Sequence, residues 1–324
     1  MPGVRETFYK VLAILYRHAS GVAVIDYPER LERRSIDVIV KLRDGRSVLL
    51  KVADDAYTLP RSEVAELRGL GATLGLPVGL VAEKYGGREV PGHVMMERLG
   101  VPVLSPETLE DYLRTSEGVV AYQSRDTLRV KLNTDALRET RERLGLSLGD
   151  LAARLGVSRK TIYQYERGEA DPTLEKAERL AQILGEEVIG SIDPFREPPQ
   201  TAPAPPPYDD RVEAMIADDL AGAGFSVYHA KKTAADIAAG AQERRVIVAY
   251  KHKRESISRL LDRVENLIRM SRASDSRAVV VVSSRREERD VTSEASELII
   301  LRADSIGRGR IAGHLDGEEA PDNG

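Results

Sequence analysis

The 324-residue chain has no cysteine, no tryptophan and only five histidines. Without cysteine there is no disulfide framework, no thiolate zinc site and no cysteine nucleophile. Long apolar runs are missing too. The longest, such as Ala278–Val282, are strand-sized and fall well short of the ~18 residues a membrane helix needs. Net charge is small, with 48 basic against 52 acidic residues and a balance of -4, which excludes a broadly basic nucleic-acid coat but not a local basic site. The N-terminal segment has no uninterrupted apolar stretch, because Arg5, Glu6, Lys10 and Arg17 punctuate it; no export signal is expected, and a cytoplasmic location is. His18, His93, His229, His252 and His314 show no metal-ligand spacing, and the glycines at Gly69–Gly71 and Gly86–Gly87 read as turns rather than a phosphate-binding loop. No metal and no cofactor is therefore expected.

The length allows two or three domains, and the proline distribution divides them. Residues 193–207 hold seven of the sixteen prolines, which predicts an extended, semi-rigid spacer between a front and a back portion. Residues 1–128 alternate helical and strand patterns. Phe8, Val11, Leu12 and Leu15 mark a helix; the Asp44-Gly45 pair between two β-rich runs predicts a hairpin. Residues 129–192 form a separate module in which the pattern is helical from Asp135 to Ile189, cut by turns at Gly145, Gly156, Gly168–Pro172 and Gly185. Residues 208–310 repeat the order of the front portion: helix, strand, hairpin, helix, strand. The last segment, 311–324, has four acids and no lysine or arginine and reads as a disordered tail. The predicted fold class is a multidomain α+β protein, a central all-α unit flanked by two α/β domains.

The densest signal is Leu146–Gly168. Ser147 can cap a helix carrying Leu151 and Ala152; Gly156 ends it; Ser158 caps a second helix on which Ile162 and Tyr165 face inward. Arg159, Lys160, Thr161, Tyr163 and Gln164 are left on the outside. Over 137–189 this segment resembles the helix-turn-helix of the Cro/CI-type phage repressors, through Asp150-Leu151-Ala152, Gly156-Val157-Ser158, Ile162, Tyr165-Glu166-Arg167-Gly168, Pro172 and Leu180-Ala181. The resemblance implies that Arg159, Lys160 and Gln164 read bases, with Thr161 and Tyr163 as additions. It also implies that Ser147 and Arg167 contact the backbone, while Ser158 serves mainly as cap. The chemistry agrees: Arg and Lys donate to guanine O6 and N7, and Gln pairs bidentately with adenine. Residues 129–192 carry 11 basic and 11 acidic residues, so any basic patch is local. Glu166 reads as an arginine partner rather than a DNA contact.

In the front domain Asp37 starts one strand and Lys51 ends the next, in the back domain Asp236 and Lys251 occupy the same places, and Glu6 and Glu213 lie on the first helices. This pattern resembles the PD-(D/E)xK nuclease fold, and the back domain resembles archaeal Holliday-junction resolvases. Such nucleases hold Mg²⁺ with two carboxylates and use the lysine to position water. The acid two residues before the lysine is replaced by Leu49 in one domain and Ala249 in the other, so both domains read as degenerate, non-catalytic copies. Lys251, Lys253, Arg254, Arg259, Arg263 and Arg269 offer a phosphate-facing surface. The whole arrangement resembles an archaeal family of helix-turn-helix transcriptional regulators, which implies a sequence-specific regulator of double-stranded DNA, a homodimer, and no enzyme. The competing reading is a metal-dependent nuclease targeted by its helix-turn-helix.

Overall fold

The computed structural model of the chain describes residues 3–124, 127–295, 298–307 and 310–316. The front portion begins with α1 (Val4–His18), which buries Phe8, Val11, Ile14 and Leu15 at helical spacing. Strands β1 (Gly21–Val24), β2 (Val38–Lys41) and β3 (Ser47–Asp55) follow as an antiparallel set, with Val40 opposite Val48. The hairpin turns at Gly45, whose φ of 90° no other residue adopts without strain. Helix α2 (Arg61–Leu74) stops at Gly75 in the left-handed conformation and crosses over to β4 (Val78–Tyr85), parallel to β3. Short β5 (Arg88–Glu89) flanks β4. Then come β6 (Val94–Arg98), β7 (Val101–Leu104), α3 (Pro106–Thr115), β8 (Ala121–Ser124) and β9 (Thr127–Val130). The sheet order is β1-β2-β3-β4-β7-β6-β8-β9, with β5 on β4.

Residue 128 lies inside β9, so the sheet runs on into the helical segment. That segment comprises α4 (Thr134–Arg143), α5 (Leu148–Leu155), α6 (Arg159–Glu166) and α7 (Leu174–Leu184). Backbone bridges from Arg129 to Thr173 and from Leu132 to Ile189 tie it to the sheet. Val94, Ala121 and Val130 of the sheet pack against Ala177 of α7 in one small core.

The back portion is α8 (Arg211–Gly222), β10 (Ser226–His229), β11 (Ile237–Ala241), β12 (Arg244–Tyr250), α9 (Ile257–Ser274), β13 (Arg277–Val282), α10 (Arg285–Glu294), β14 (Ile299–Arg302) and α11 (Arg310–Asp316). Its sheet order is β10-β11-β12-β13-β14, antiparallel through β12 and parallel beyond. The order α8-β10-β11-β12-α9-β13 repeats α1-β1-β2-β3-α2-β4. Residues 311–316 are helical rather than disordered: Ile311 and Leu315 are buried on the back domain's core, and the Ile311 N–H donates to Asp219 at 3.0 Å. The remainder of the expected tail, 317–324, lies outside the described residues.

The proline-rich segment is extended but does not space two domains apart. Phe195 is fully buried, edge-on to Tyr112 with ring centroids 5.4 Å apart. Asp193 accepts from the Tyr112 hydroxyl at 2.8 Å and pairs with Arg46 at 2.9 Å. Farther along, Arg68 donates to Thr201 at 2.9 Å. The front and back portions meet in one apolar core. Val64, Leu67 and Leu70 of α2 pack with Tyr228, Ala238 and Ile247 of the back sheet and with Leu260, Val264 and Leu267 of α9. Gly69 admits the Tyr228 ring, and Gly240 meets the Thr73 carbonyl; a Cβ on Gly240 would stand 1.8 Å from that oxygen. Buried Glu66 accepts from the Lys231 and Lys232 amides at 2.9 and 2.7 Å and from the Ser35 hydroxyl at 2.9 Å. Polar satisfaction and close backbone approach together fix the two portions against each other. Among the described residues no helix is long and apolar enough to cross a membrane.

Candidate nucleic-acid interface

Short-range caps build the helical hairpin. The Ser147 hydroxyl oxygen accepts from the Asp150 N–H at 3.1 Å and the Asp150 carboxylate accepts from the Ser147 N–H at 2.9 Å, a reciprocal capping box. Hydrogen bonds from the Ser147 side chain and backbone hold the Asp150 carboxyl below its ordinary value. Gly156 reverses the chain at φ 68°, ψ 44°. The Ser158 hydroxyl then accepts from the Thr161 N–H at 3.1 Å and caps α6. Ile162 and Tyr165, 0% and 5% exposed, turn α6 onto Leu151 and Leu155.

The opposite side of α6 carries the predicted readers. Arg159 and Lys160 are exposed, and among the described residues neither side chain has an ion-pair or hydrogen-bond partner. Tyr163 is 48% exposed; Thr161 and Gln164 are half-buried beside it. Arg167 is exposed but engaged: it donates to Glu169 at 2.6 Å and its guanidinium lies 5.5 Å from the Tyr163 ring centroid. It steadies Tyr163 by a cation–π contact. Ser147 and Ser158 spend their hydroxyls on capping, and their positions at the starts of α5 and α6 leave helix N-termini facing outward, where anions are favoured.

Two features support this surface from behind, and only the first has a sequence signal. Glu166, 7% exposed, is paired through both oxygens with Arg141 of α4, which meets the expectation of an arginine partner and fixes α6 to α4. Asp171 accepts from Tyr122 at 2.9 Å, Lys131 at 3.3 Å and the Leu132 N–H at 3.3 Å. Through Tyr122 it ties the loop after α6 to the front sheet. Burial and the bond to Asp171 push the Tyr122 hydroxyl up to about 12.

The nuclease-like residues are arranged differently in the two halves. In the front half Asp37 and Lys51 are 0% and 1% exposed and pair at 3.2 Å; the Asp37 carboxylate also accepts from the Val52 N–H at 2.8 Å. Burial raises the Asp37 carboxyl to about 6 despite Lys51. Glu6 is exposed on α1 and forms no bond to this pair. Leu49 is buried in the apolar core.

In the back half Asp236 pairs with Arg263 at 3.1 Å and lies 3.5 Å from His252; Lys251 turns instead to Glu287 of α10, at 2.9 Å. Arg263 is 3% exposed and Arg269 is bound to Asp26 at 3.1 Å. With Lys251, Arg263 and Arg269 engaged in these pairs, the expected phosphate-facing surface reduces to Lys253, Arg254 and Arg259. Glu213 is 1% exposed with His229 and His252 around it. Spacing along the chain could not show this convergence, because α8, β10 and the end of β12 meet only in the folded domain.

Residues 5–119 match the family model described as a PD-(D/E)XK superfamily domain, and residues 137–189 match the one described as Helix-turn-helix. An Aeropyrum pernix protein, "Putative HTH-type transcriptional regulatory protein", is 37% identical over 300 residues, 91% of this chain and 90% of that one. A Saccharolobus solfataricus protein of the same description is 31% identical over 183 residues, 56% of each chain. One from Saccharolobus islandicus is 30% identical over 188 residues, 58% of this chain and 57% of its own.

Proposed function

The chain belongs to the archaeal family of HTH-type transcriptional regulatory proteins, and from that premise we propose that it is a sequence-specific transcriptional regulator that reads the major groove of double-stranded DNA with α6. The observation that carries this is the outer side of α6: two cations, Arg159 and Lys160, without an ion-pair partner among the described residues, beside Gln164 and Tyr163, on a helix capped and buried on its other side. Arg159, Lys160 and Gln164 read base edges, with Thr161 and Tyr163 adding contacts. Arg167 and the helix starts at Ser147 and Ser158 meet phosphates. An eight-residue helix is about 12 Å long and reads only a few base pairs, so the protein acts as a homodimer with recognition helices about 34 Å apart on successive major grooves. It works in the cytoplasm.

The front and back α/β units are two copies of one nuclease-like architecture that flank the helix-turn-helix as scaffold and do not cleave DNA. The repeated element order supports this. So do Leu49 and Ala249, both buried, at the positions two residues before Lys51 and Lys251. Asp37 is matched by Lys51 and Asp236 by Arg263, which leaves neither as a free metal-binding carboxylate.

Selection of bound fragments from genomic DNA, followed by footprinting, tests the regulator reading. Arg159→Ala should lose about 1–3 kcal/mol of discrimination at one base position. Arg167→Ala should weaken binding evenly across sequences. Equal weakening at all sequences by Arg159→Ala would overturn the reader assignment. Incubation with Mg²⁺ or Mn²⁺ and linear or branched DNA tests the absence of cleavage; cleavage abolished by Asp236→Ala would overturn it.

A further inference from the structure

His229 and Glu213 face each other in the interior of the back domain, each about 1% exposed. His229 Nε2 stands 3.3 Å from Glu213 Oε2, yet neither His229 Nε2 nor Glu213 Oε1 has a hydrogen-bond partner. The other ring nitrogen, Nδ1, lies 3.1 Å from the Pro206 carbonyl, an oxygen that can only accept. The ring proton therefore sits on Nδ1. With the proton on Nδ1, Nε2 directs a lone pair at the carboxylate, and either a second ring proton or a bound cation turns that contact attractive. A second imidazole, His252 Nε2, lies 3.4 Å from Glu213 Oε1. Asp209, Glu213 and His229 offer ligand atoms all within 4.8 Å of one another.

We propose that Asp209, Glu213, His229 and His252 bind one divalent transition-metal ion of the Zn²⁺ class. A tetrahedral ion with bonds of about 2.0–2.1 Å separates its ligand atoms by about 3.3 Å, and His229 and His252 stand 3.3 and 3.4 Å from the two Glu213 oxygens. Two imidazoles with two carboxylates suit Zn²⁺ or Co²⁺, whereas Mg²⁺ requires an octahedron of oxygens. The bond from Nδ1 to a backbone carbonyl is the outer-sphere support that orients a ligating histidine. The ion lies to one side of Asp236, because Arg263, 3% exposed and 3.1 Å from Asp236, supplies the positive charge there. Lys231 holds Asp209 Oδ1 at 2.5 Å, so Asp209 ligates through its second oxygen. The site also anchors the proline-rich segment. Asp209 lies two residues past its end, Pro206 holds the imidazole, and the Tyr208 ring packs on His229 with centroids 5.1 Å apart.

The test is equilibrium dialysis of the untagged full-length chain against Zn²⁺, with Co²⁺ absorption spectra as a report on ligand type. The expected result is one ion per chain, with the visible bands of a tetrahedral nitrogen- and oxygen-ligated Co²⁺. Affinity should fall by more than about tenfold in His229→Gln and Glu213→Gln and stay within about twofold in Asp236→Asn. Should the buried-site variants not fold, His252→Ala removes a half-exposed ligand and must still weaken Zn²⁺ binding and alter the Co²⁺ spectrum. Three results would each overturn the proposal. They are no uptake at micromolar Zn²⁺, uptake indifferent to His229 and His252, or uptake abolished by Asp236→Asn alone.

Discussion

Replacing Glu166 with glutamine tests how the recognition helix is held. The side chains of Arg141 and Glu166 are 10% and 7% exposed, and Arg141 also donates to the Leu146 carbonyl at 2.9 Å and to solvent-exposed Glu142 at 3.2 Å. Glu166→Gln conserves volume but leaves the guanidinium without its buried counter-charge. Removing one partner of a buried pair costs about 3–5 kcal/mol. Because Leu146 and Glu142 still engage Arg141, the lower end applies, about 3 kcal/mol, or roughly a hundredfold in a local opening equilibrium. A multidomain chain does not melt in one transition, so the assay is native-state hydrogen exchange. Protection of the Ile162 and Tyr165 amides should fall roughly a hundredfold while amides of β3 and β4 stay unchanged. The double variant Arg141→Met with Glu166→Leu should recover most of the loss, since an apolar pair of similar volume requires no buried charge. A change under about threefold in Glu166→Gln, or a double variant as damaged as the two single variants combined, would refute the reasoning.

Three further outcomes follow from the packing. Gly240→Ala places a Cβ against the Thr73 carbonyl and should cost about 1–3 kcal/mol or more; opening of the front–back interface would show as faster proteolysis within 193–207 and a larger radius in X-ray scattering. Phe195→Ala empties a fully buried site and should cost about 3–5 kcal/mol, read as a lower unfolding temperature of the front domain; an unchanged temperature would mean that the segment is not clamped. Burial raises the Asp37 carboxyl from 3.8 to about 6, so the native state binds its proton more tightly than the unfolded chain does. The stability this contributes is present below 3.8 and is lost as pH rises through about 6. Urea unfolding between pH 4 and 7 should show that decline in the parent chain and not in Asp37→Asn; a parent chain gaining stability relative to the variant across the window would contradict it.

The pairing of the two sheets through α2 and α9 gives the degenerate centres a structural meaning. Lys51 against Asp37 and Arg263 against Asp236 each balance a buried carboxylate with a cation, by different partners in two similar frames. The charge balance needed for folding is thus maintained without the second carboxylate that a nuclease requires. The link from β9 through Asp171 to α7 makes the front sheet continuous with the helix-turn-helix. The spatial relation between reader and scaffold is accordingly fixed by backbone bridges rather than left to a free linker.

What the sequence determined by itself was whatever depends on neighbours three or four residues apart. Ser147, Gly156 and Ser158 specify the two caps and the turn; Ile162 and Tyr165 choose the buried side of α6; what remains outside is the reader. The hairpin at Asp44-Gly45 and the repeated helix–strand order were legible for the same reason. Strands β8 and β9 are short and half-buried, and α10 has few apolar residues beyond Val291, so neither has a strong period of its own; both exist because a sheet or core already stands beside them. Only the tertiary structure decided that the proline-rich segment lies clamped under Phe195, that residues 311–316 dock as helix, that Lys251 turns to Glu287, and that His229 and His252 converge on Glu213. Those outcomes depend on shape and charge between elements far apart in the chain, such as Gly69 against Tyr228 or Arg263 against Asp236. A local pattern cannot encode them, because the partner's surface is created only when distant parts of the chain fold together.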